Sequence, residues 1–191
     1  LGDVYKRQPL SHTAKTIRRN LQTLCEALGT SYDPSEDEAR AEAALLHAKK
    51  LLGETEIAID YTATPAPMSL ARCLLEHGFR VTRIYADSIA ADDQEDFRWL
   101  QEHAPDIALY ATVQVKLRVL PRETQTPTLA IGQKAAYFTG TRHFVNIVEG
   151  GGMYGFDGLC RLAELMEEAH RTERDARDFI QQKGLGCDSC L

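Results

Sequence analysis

Apolar residues recur at two periods along the chain, and the period changes once. Residues 11–28 place Ile17, Leu21, Leu24 and Leu28 at helical spacing, with Ser11 or Thr13 available as a cap and Gly29 as the stop. The turn Tyr32-Asp33-Pro34-Ser35 follows. Ser35 with Glu38 three residues on forms a capping-box signature for a second, Ala-rich helix over 36–52. These two helices are expected to form a hairpin that lies as a lateral layer on something else.

From Glu56 onward short apolar runs alternate with helical patterns. Strands are predicted at 57–61, 80–85, 106–110, 128–131 and 144–148. Helices are predicted at 68–77, 92–103 and 133–138, and a long one from about Asp157 to His170 and beyond. In the last, Leu159, Leu162, Leu165, Met166 and Ala169 mark the buried face and Asp157 the N-cap. Apolar strands separated by helices predict an α/β fold: a doubly wound, Rossmann-like parallel sheet of about five strands, preceded by the helical hairpin. Ligands of such sheets sit at the carboxyl ends of the strands. The loops that matter are therefore 62–67, 86–91, 111–127 and 149–156.

The 191 residues suit one domain with an appendage, and 43% hydrophobic with 26% charged residues is the mix of a globular chain. Twenty-two basic against 28 acidic residues leave a net charge of −6, the wrong sign for a general nucleic-acid binder. No apolar run has the roughly 18 residues a membrane span needs, so neither nucleic acid nor membrane is an expected partner. Five cysteines, odd in number and mostly scattered, speak against a disulfide framework and for a reducing cytoplasm. The opening Leu1–Gln8 does not start with Met and looks like translated adapter sequence, so residues 1–8 are set outside the fold. The chain is expected to be part of a longer polypeptide: a helical segment over 9–55, an α/β domain over 56–183 and a Cys-containing tail over 184–191.

Candidate chemistry concentrates in two places. Gly150, Gly152 and Gly155 satisfy G-x-G-x-x-G between a strand and a helix. A dinucleotide site would also need a following strand bearing an acid, and a highly charged helix follows instead. Two readings stay open for Gly150, Gly151, Gly152 and Gly155: close backbone approach to a bound group, or a tight strand-to-helix corner without one. Nearby Asn146 and Lys134 are the candidate polar contacts. The second place is Cys187-Asp188-Ser189-Cys190, a C-x-x-C whose thiolates would supply half of a zinc or iron–sulfur shell, or remain a reduced tail. Cys160 is expected as helix packing. His143, at the start of a strand and so at the wrong end of the sheet, is expected to pack and not to bind.

The run from Gly132 to Ala169 resembles the C-terminal region of nitrogenase component 1 proteins. The shared pattern is strand, short helix, Gly140, strand, glycine-rich loop, then Tyr154-Gly155-Phe156-Asp157-Gly158 opening a long helix. Residues 56–111 fit the same family's strand–helix alternation, including Pro105-Asp106-Ile107 at a strand start. The resemblance implies a cytoplasmic, anaerobic oxidoreductase subunit paired with a homologous partner subunit. It also implies electrons from an ATP-dependent iron–sulfur reductase, and an iron–sulfur or other metal cluster shared with another domain or subunit. The family's cluster-holding histidine has no counterpart in Val145–Glu149, and the role does not pass to His143. The pattern thus fits a nitrogenase-like reductase of another substrate, or a scaffold for metal-cluster or cofactor assembly, better than a dinitrogen-reducing subunit. A stand-alone small-molecule binding module is the third reading.

Overall fold

The computed structural model describes residues 11–119, 126–148 and 150–176. Five strands form one all-parallel sheet in the order β3-β2-β1-β4-β5. They are β1 (Glu56–Asp60), β2 (Arg80–Tyr85), β3 (Ala108–Tyr110), β4 (Thr128–Ile131) and β5 (Phe144–Val145). The helices are α1 (Ala14–Leu28), α2 (Ser35–Leu52), α3 (Pro67–Glu76), α4 (Gln94–His103), α5 (Gln133–Thr139) and α6 (Gly155–Arg171). The strand order reverses between β1 and β4, so the fold is doubly wound with its switch point there.

The period of two along each strand decides the two faces. Ile57, Ile59, Ile84, Leu129, Ile131 and Val145 turn to one side, where α2, α3 and α6 cover them with Leu45, Leu70, Leu74, Leu162 and Met166. Ala58, Ala130, Tyr85 and Phe144 turn to the other, against Ala135 and Ala136 of α5. The small Ala58 and Ala130 let the short α5 lie close to the sheet. Every residue of β1 and β4 is buried, as befits parallel strands covered on both faces. Each large aliphatic side chain buried this way contributes about 1.5–3 kcal/mol.

The two helices of the preceding segment are buried unequally. α2 buries Ala41, Leu45, Ala48 and Leu52 and packs along α6, whereas α1 buries Ile17 alone. Leu24 and Leu28, on the predicted apolar stripe, are 54% and 69% exposed. The cap of α2 also differs. Ser35 lies inside the first turn, and its N–H and hydroxyl both donate to Oδ1 of Asp33, at 3.0 and 2.5 Å.

β3 is shorter than 106–110, and β5 ends at Val145 because the chain turns into the glycine loop there. α6 starts two residues before Asp157, with Tyr154 at the cap position; Asp157 sits in the first turn and pairs with Arg40 of α2. Its buried face holds Leu159, Leu162, Met166 and Ala169 as expected, with Phe156 and Ala163 in addition, while Leu165 is partly buried. His143 packs at the start of β5, its Nδ1 2.9 Å from the Ala169 carbonyl. Among the described residues no helix is long and apolar enough to cross a membrane.

Candidate functional site

Three loops converge at the carboxyl ends of β1, β4 and β5, around the switch point. The glycine loop is fastened to the loop after β1 by the Gly150 N–H, which donates to the Ala63 carbonyl at 2.6 Å. Gly150, Gly151 and Gly152 have φ of 80°, 52° and 78°, a run of left-handed residues that L side chains rarely tolerate. A Cβ on Gly150 would strike the Tyr154 phenol, and one on Gly158, with ordinary helical φ, would strike the backbone of Met153. The second glycine of Gly155-Phe156-Asp157-Gly158 is thus explained by the chain folding back on itself. Gly152 and Gly155 face open space. Close approach to the chain's own Tyr154 and Met153 accounts for part of the glycine pattern, while Gly152 and Gly155 answer to φ alone.

The N-terminus of α5 lies across the switch point, where a nucleotide-binding sheet would place an anion. Here that place is taken by Asp60, fully buried at the end of β1. Its Oδ2 accepts the Ala135 N–H at 2.7 Å, and its Oδ1 accepts the Thr62 N–H at 2.7 Å, the Ala63 N–H at 3.2 Å and the Thr62 hydroxyl. Burial raises this carboxyl above its ordinary range, and those four donors pull against the rise. Gly132 has φ of 107° and lies so close to Asp60 that any side chain would collide with the carboxylate. The protein supplies its own anion to α5.

Lys134 and Asn146 both lie at this end of the sheet and face different neighbours. The Lys134 ammonium contacts the Tyr61 hydroxyl and stands 4.3 Å from the centre of that ring. Asp87, after β2, completes the group. Partial burial works to raise its carboxyl, but hydrogen bonds from Thr112 and Tyr61 and the charge of Lys134 bring it below the usual range. Asn146 Oδ1 accepts from Gln133 Nε2 at 2.6 Å.

Like Asp60, His12 is not singled out by the sequence. It is 4% exposed, seated between the loop after β1 and the glycine loop. Its Nε2 lies 3.0 Å from Thr64 Oγ1, its backbone N–H donates to Ser69 Oγ at 2.9 Å, and its ring stacks on Tyr154 at 6.1 Å. Burial lowers its pKa to about 4, so the imidazole is neutral. A lone histidine before a helix carries no sequence signal, because its partners Thr64, Ser69 and Tyr154 are distant in the chain.

Among the described residues no three His, Cys, Asp or Glu side chains converge in a way that could hold a metal ion. Cys73 is fully buried and its thiol is pushed up by desolvation and by Glu76, Glu42 and Asp96, the opposite of a ligand thiolate. Cys25 and Cys160 sit partly buried on separate helices. Cys187, Cys190 and Glu149 lie outside the described residues.

This is a doubly wound α/β domain whose glycine corner and β1 loop close on the switch point. No protein-family model matches the sequence, and no curated protein matches it. Among solved structures it is similar to nitrogenase Cp1 at pH 6.5, with a TM-score of 0.60 and 16% identity. The likeness covers 93% of this chain and 40% of that one, so the chain spans well under half the length of that protein. It shows a nitrogenase-like fold.

Proposed function

We propose that this chain is the C-terminal α/β domain of a nitrogenase component 1-like oxidoreductase subunit. On this reading it takes part in reduction of an unidentified substrate, driven by an ATP-dependent iron–sulfur reductase in the cytoplasm, beside a homologous partner subunit. The observation that supports it is the fold likeness over 93% of the chain. The Gly155-Phe156-Asp157-Gly158 corner, the sharpest motif of the sequence resemblance, opens α6 at the carboxyl end of the sheet. Gly150, Gly151, Gly152 and Gly155, with Asn146 and Lys134, border the cavity in which the substrate or cofactor lies.

The described residues do not fit a metal cluster: they bring no three donors together. Any iron–sulfur or other cluster is therefore held by a partner subunit, by further parts of the polypeptide, or in part by Cys187 and Cys190. The described residues shape a wall of the site and carry no step through the metal.

The test is anaerobic purification of the tagged protein from the cells that make it, with iron analysis and identification of co-purifying chains by mass spectrometry. A homologous subunit in stoichiometric amount, together with iron, is expected. A colourless, iron-free monomer overturns the reading. Cys187→Ala with Cys190→Ala lowers bound iron if the tail is a ligand, and equal iron removes the tail from the site.

The second reading is a non-catalytic scaffold for metal-cluster or cofactor assembly, which needs the fold and the glycine corner but no acid–base group at the corner. Substrate turnover by the purified complex with reductase and ATP excludes it. Transfer of iron to an acceptor protein without turnover supports it.

A further inference from the structure

The switch-point crevice is closed by the chain's own strap before α1. Ser11, His12 and Thr13 cross from the start of α1 onto the first turn of α3. There Ser69 Oγ accepts the His12 N–H at 2.9 Å and lies 2.8 Å from Ser11 Oγ. The His12 ring then fills the space between Thr64 and Tyr154, one from each wall of the crevice. A planar ring with one bonded nitrogen thus occupies the region where doubly wound sheets take their ligands.

The strap's attachment is slight. In residues 11–28 only His12, Thr13 and Ile17 are buried. Beyond Ile17 the helix has no buried residue, and Leu24 and Leu28 are more than half exposed. The contrast is with α6, which buries seven residues along its length. Among the described residues the segment is held by the buried Ile17, the partly buried Ala14 and Leu21, an Arg18–Glu38 pair and a few hydrogen bonds. So lightly packed a segment belongs to the low end of local stability and opens independently of the core. The hydrogen bonds it leaves behind at Ser69 and Thr64 are ones that water or a ligand replaces.

We infer that residues 11–17 form a detachable gate over the switch-point crevice, with the His12 imidazole holding the place of a ligand ring between Thr64 and Tyr154. Its role as a gate rests on the crevice being the domain's ligand site. The opening itself is measured without ligand, iron or partner, so its failure and the failure of the proposed function are told apart.

The experiment is amide hydrogen exchange on the full chain, comparing wild type with Ser11→Cys/Ser69→Cys. The 2.8 Å contact of the two hydroxyl oxygens places these positions within reach of a disulfide. In wild type, amides of residues 14–20 are expected to exchange at least ~10-fold faster than those of Ile57–Ile59. The oxidised staple is expected to slow residues 14–20 and 153–158 by at least ~10-fold, and reduction to restore them. Exchange of 14–20 at the rate of β1 in wild type overturns the inference, as does an oxidised staple with no effect. If the staple does not form, His12→Ala decides: faster exchange in 14–20 and 153–158 with β1 unchanged supports the gate, and a uniform change across the molecule overturns it.

Discussion

The imidazole of His12 stacks on the phenol of Tyr154, their ring centres 6.1 Å apart and their planes 26° from parallel. This contact joins the strap before the first helix to the cap position of the last. With the Gly150–Ala63 hydrogen bond it seals the carboxyl end of the sheet from two directions.

Burial of His12 makes a pH signature. Its pKa falls from 6.5 to about 4, so below pH 6.5 the unfolded chain takes a proton that the folded protein refuses. The stability due to the neutral ring is fully present above that value and is lost as pH drops toward 4, in total about 3 kcal/mol. Urea unfolding between about pH 4.5 and pH 7 checks this: His12→Gln is expected to lose this upward slope with pH, and a slope equal to wild type refutes the assignment.

Asp93 is expected to act with the opposite sign. Its carboxylate accepts the Met68 and Ser69 N–H groups at 2.9 and 2.8 Å, yet desolvation, helped by Asp96, outweighs these bonds and raises its pKa to about 6. Between its ordinary value and 6 the folded protein keeps a proton the unfolded chain has released, so this contribution to stability falls as pH rises through that window. Asp93→Asn removes the fall, about 2–3 kcal/mol in full, and the same urea series reads it out as a steeper rise with pH than in wild type.

The glycines separate two costs. Gly152→Ala, with open space and φ of 78°, is expected to lose about 1 kcal/mol from backbone strain alone. Gly158→Ala replaces a helical glycine, a change that in an open helix gains up to about 1 kcal/mol. Its new methyl meets the Met153 backbone, so here it is expected to lose about 2–3 kcal/mol. Thermal unfolding of the two variants ranks them, and Gly158→Ala at or above wild-type stability contradicts the packing described for the corner.

Within α1 one side chain, Ile17, is buried, and Ala14 and Leu21 pack partly against the core. Ile17→Ala is expected to cost about 2–3 kcal/mol and Leu24→Ala less than about 0.5, measured by denaturant titration. Equal losses would mean that the C-terminal half of α1 is covered in solution.

Cys73 is expected to stay inert to an aromatic disulfide reagent until the protein unfolds, because its thiol is buried and its ionisation suppressed. Cys25, partly exposed on α1, is expected to react in the native state. Peptide mapping of the labelled protein distinguishes them, and native labelling of Cys73 would show that α3 opens.

Most of the α/β region was legible because local signals agreed with the tertiary result. The apolar runs at 80–85 and 128–131 are strands with those bounds, and Gly140 ends α5 as its position suggests. The α1 stripe marks the helix but not its burial, because helical periodicity reports an amphipathic face and not what covers it. At the start of α2, Ser35 donates to Asp33 two residues before it and does not cap, a choice between nearby side chains that spacing does not resolve. The glycine loop and Lys134 follow predicted strands and Asn146 lies late in one, so their place at the carboxyl end of the sheet was legible. His12 and Asp60 instead act through partners far along the chain.

The sequence by itself determined the alternation of strands and helices, the doubly wound class and the glycine corner, since periodicity, turn residues and left-handed φ are properties of short stretches. Only the tertiary structure decided that Asp60 occupies the anion position at α5, that Gly158 is required by Met153, and that His12 fills the crevice at the switch point. Each of those depends on atoms brought together across the sheet by packing, and packing energy is not written in any local run of residues.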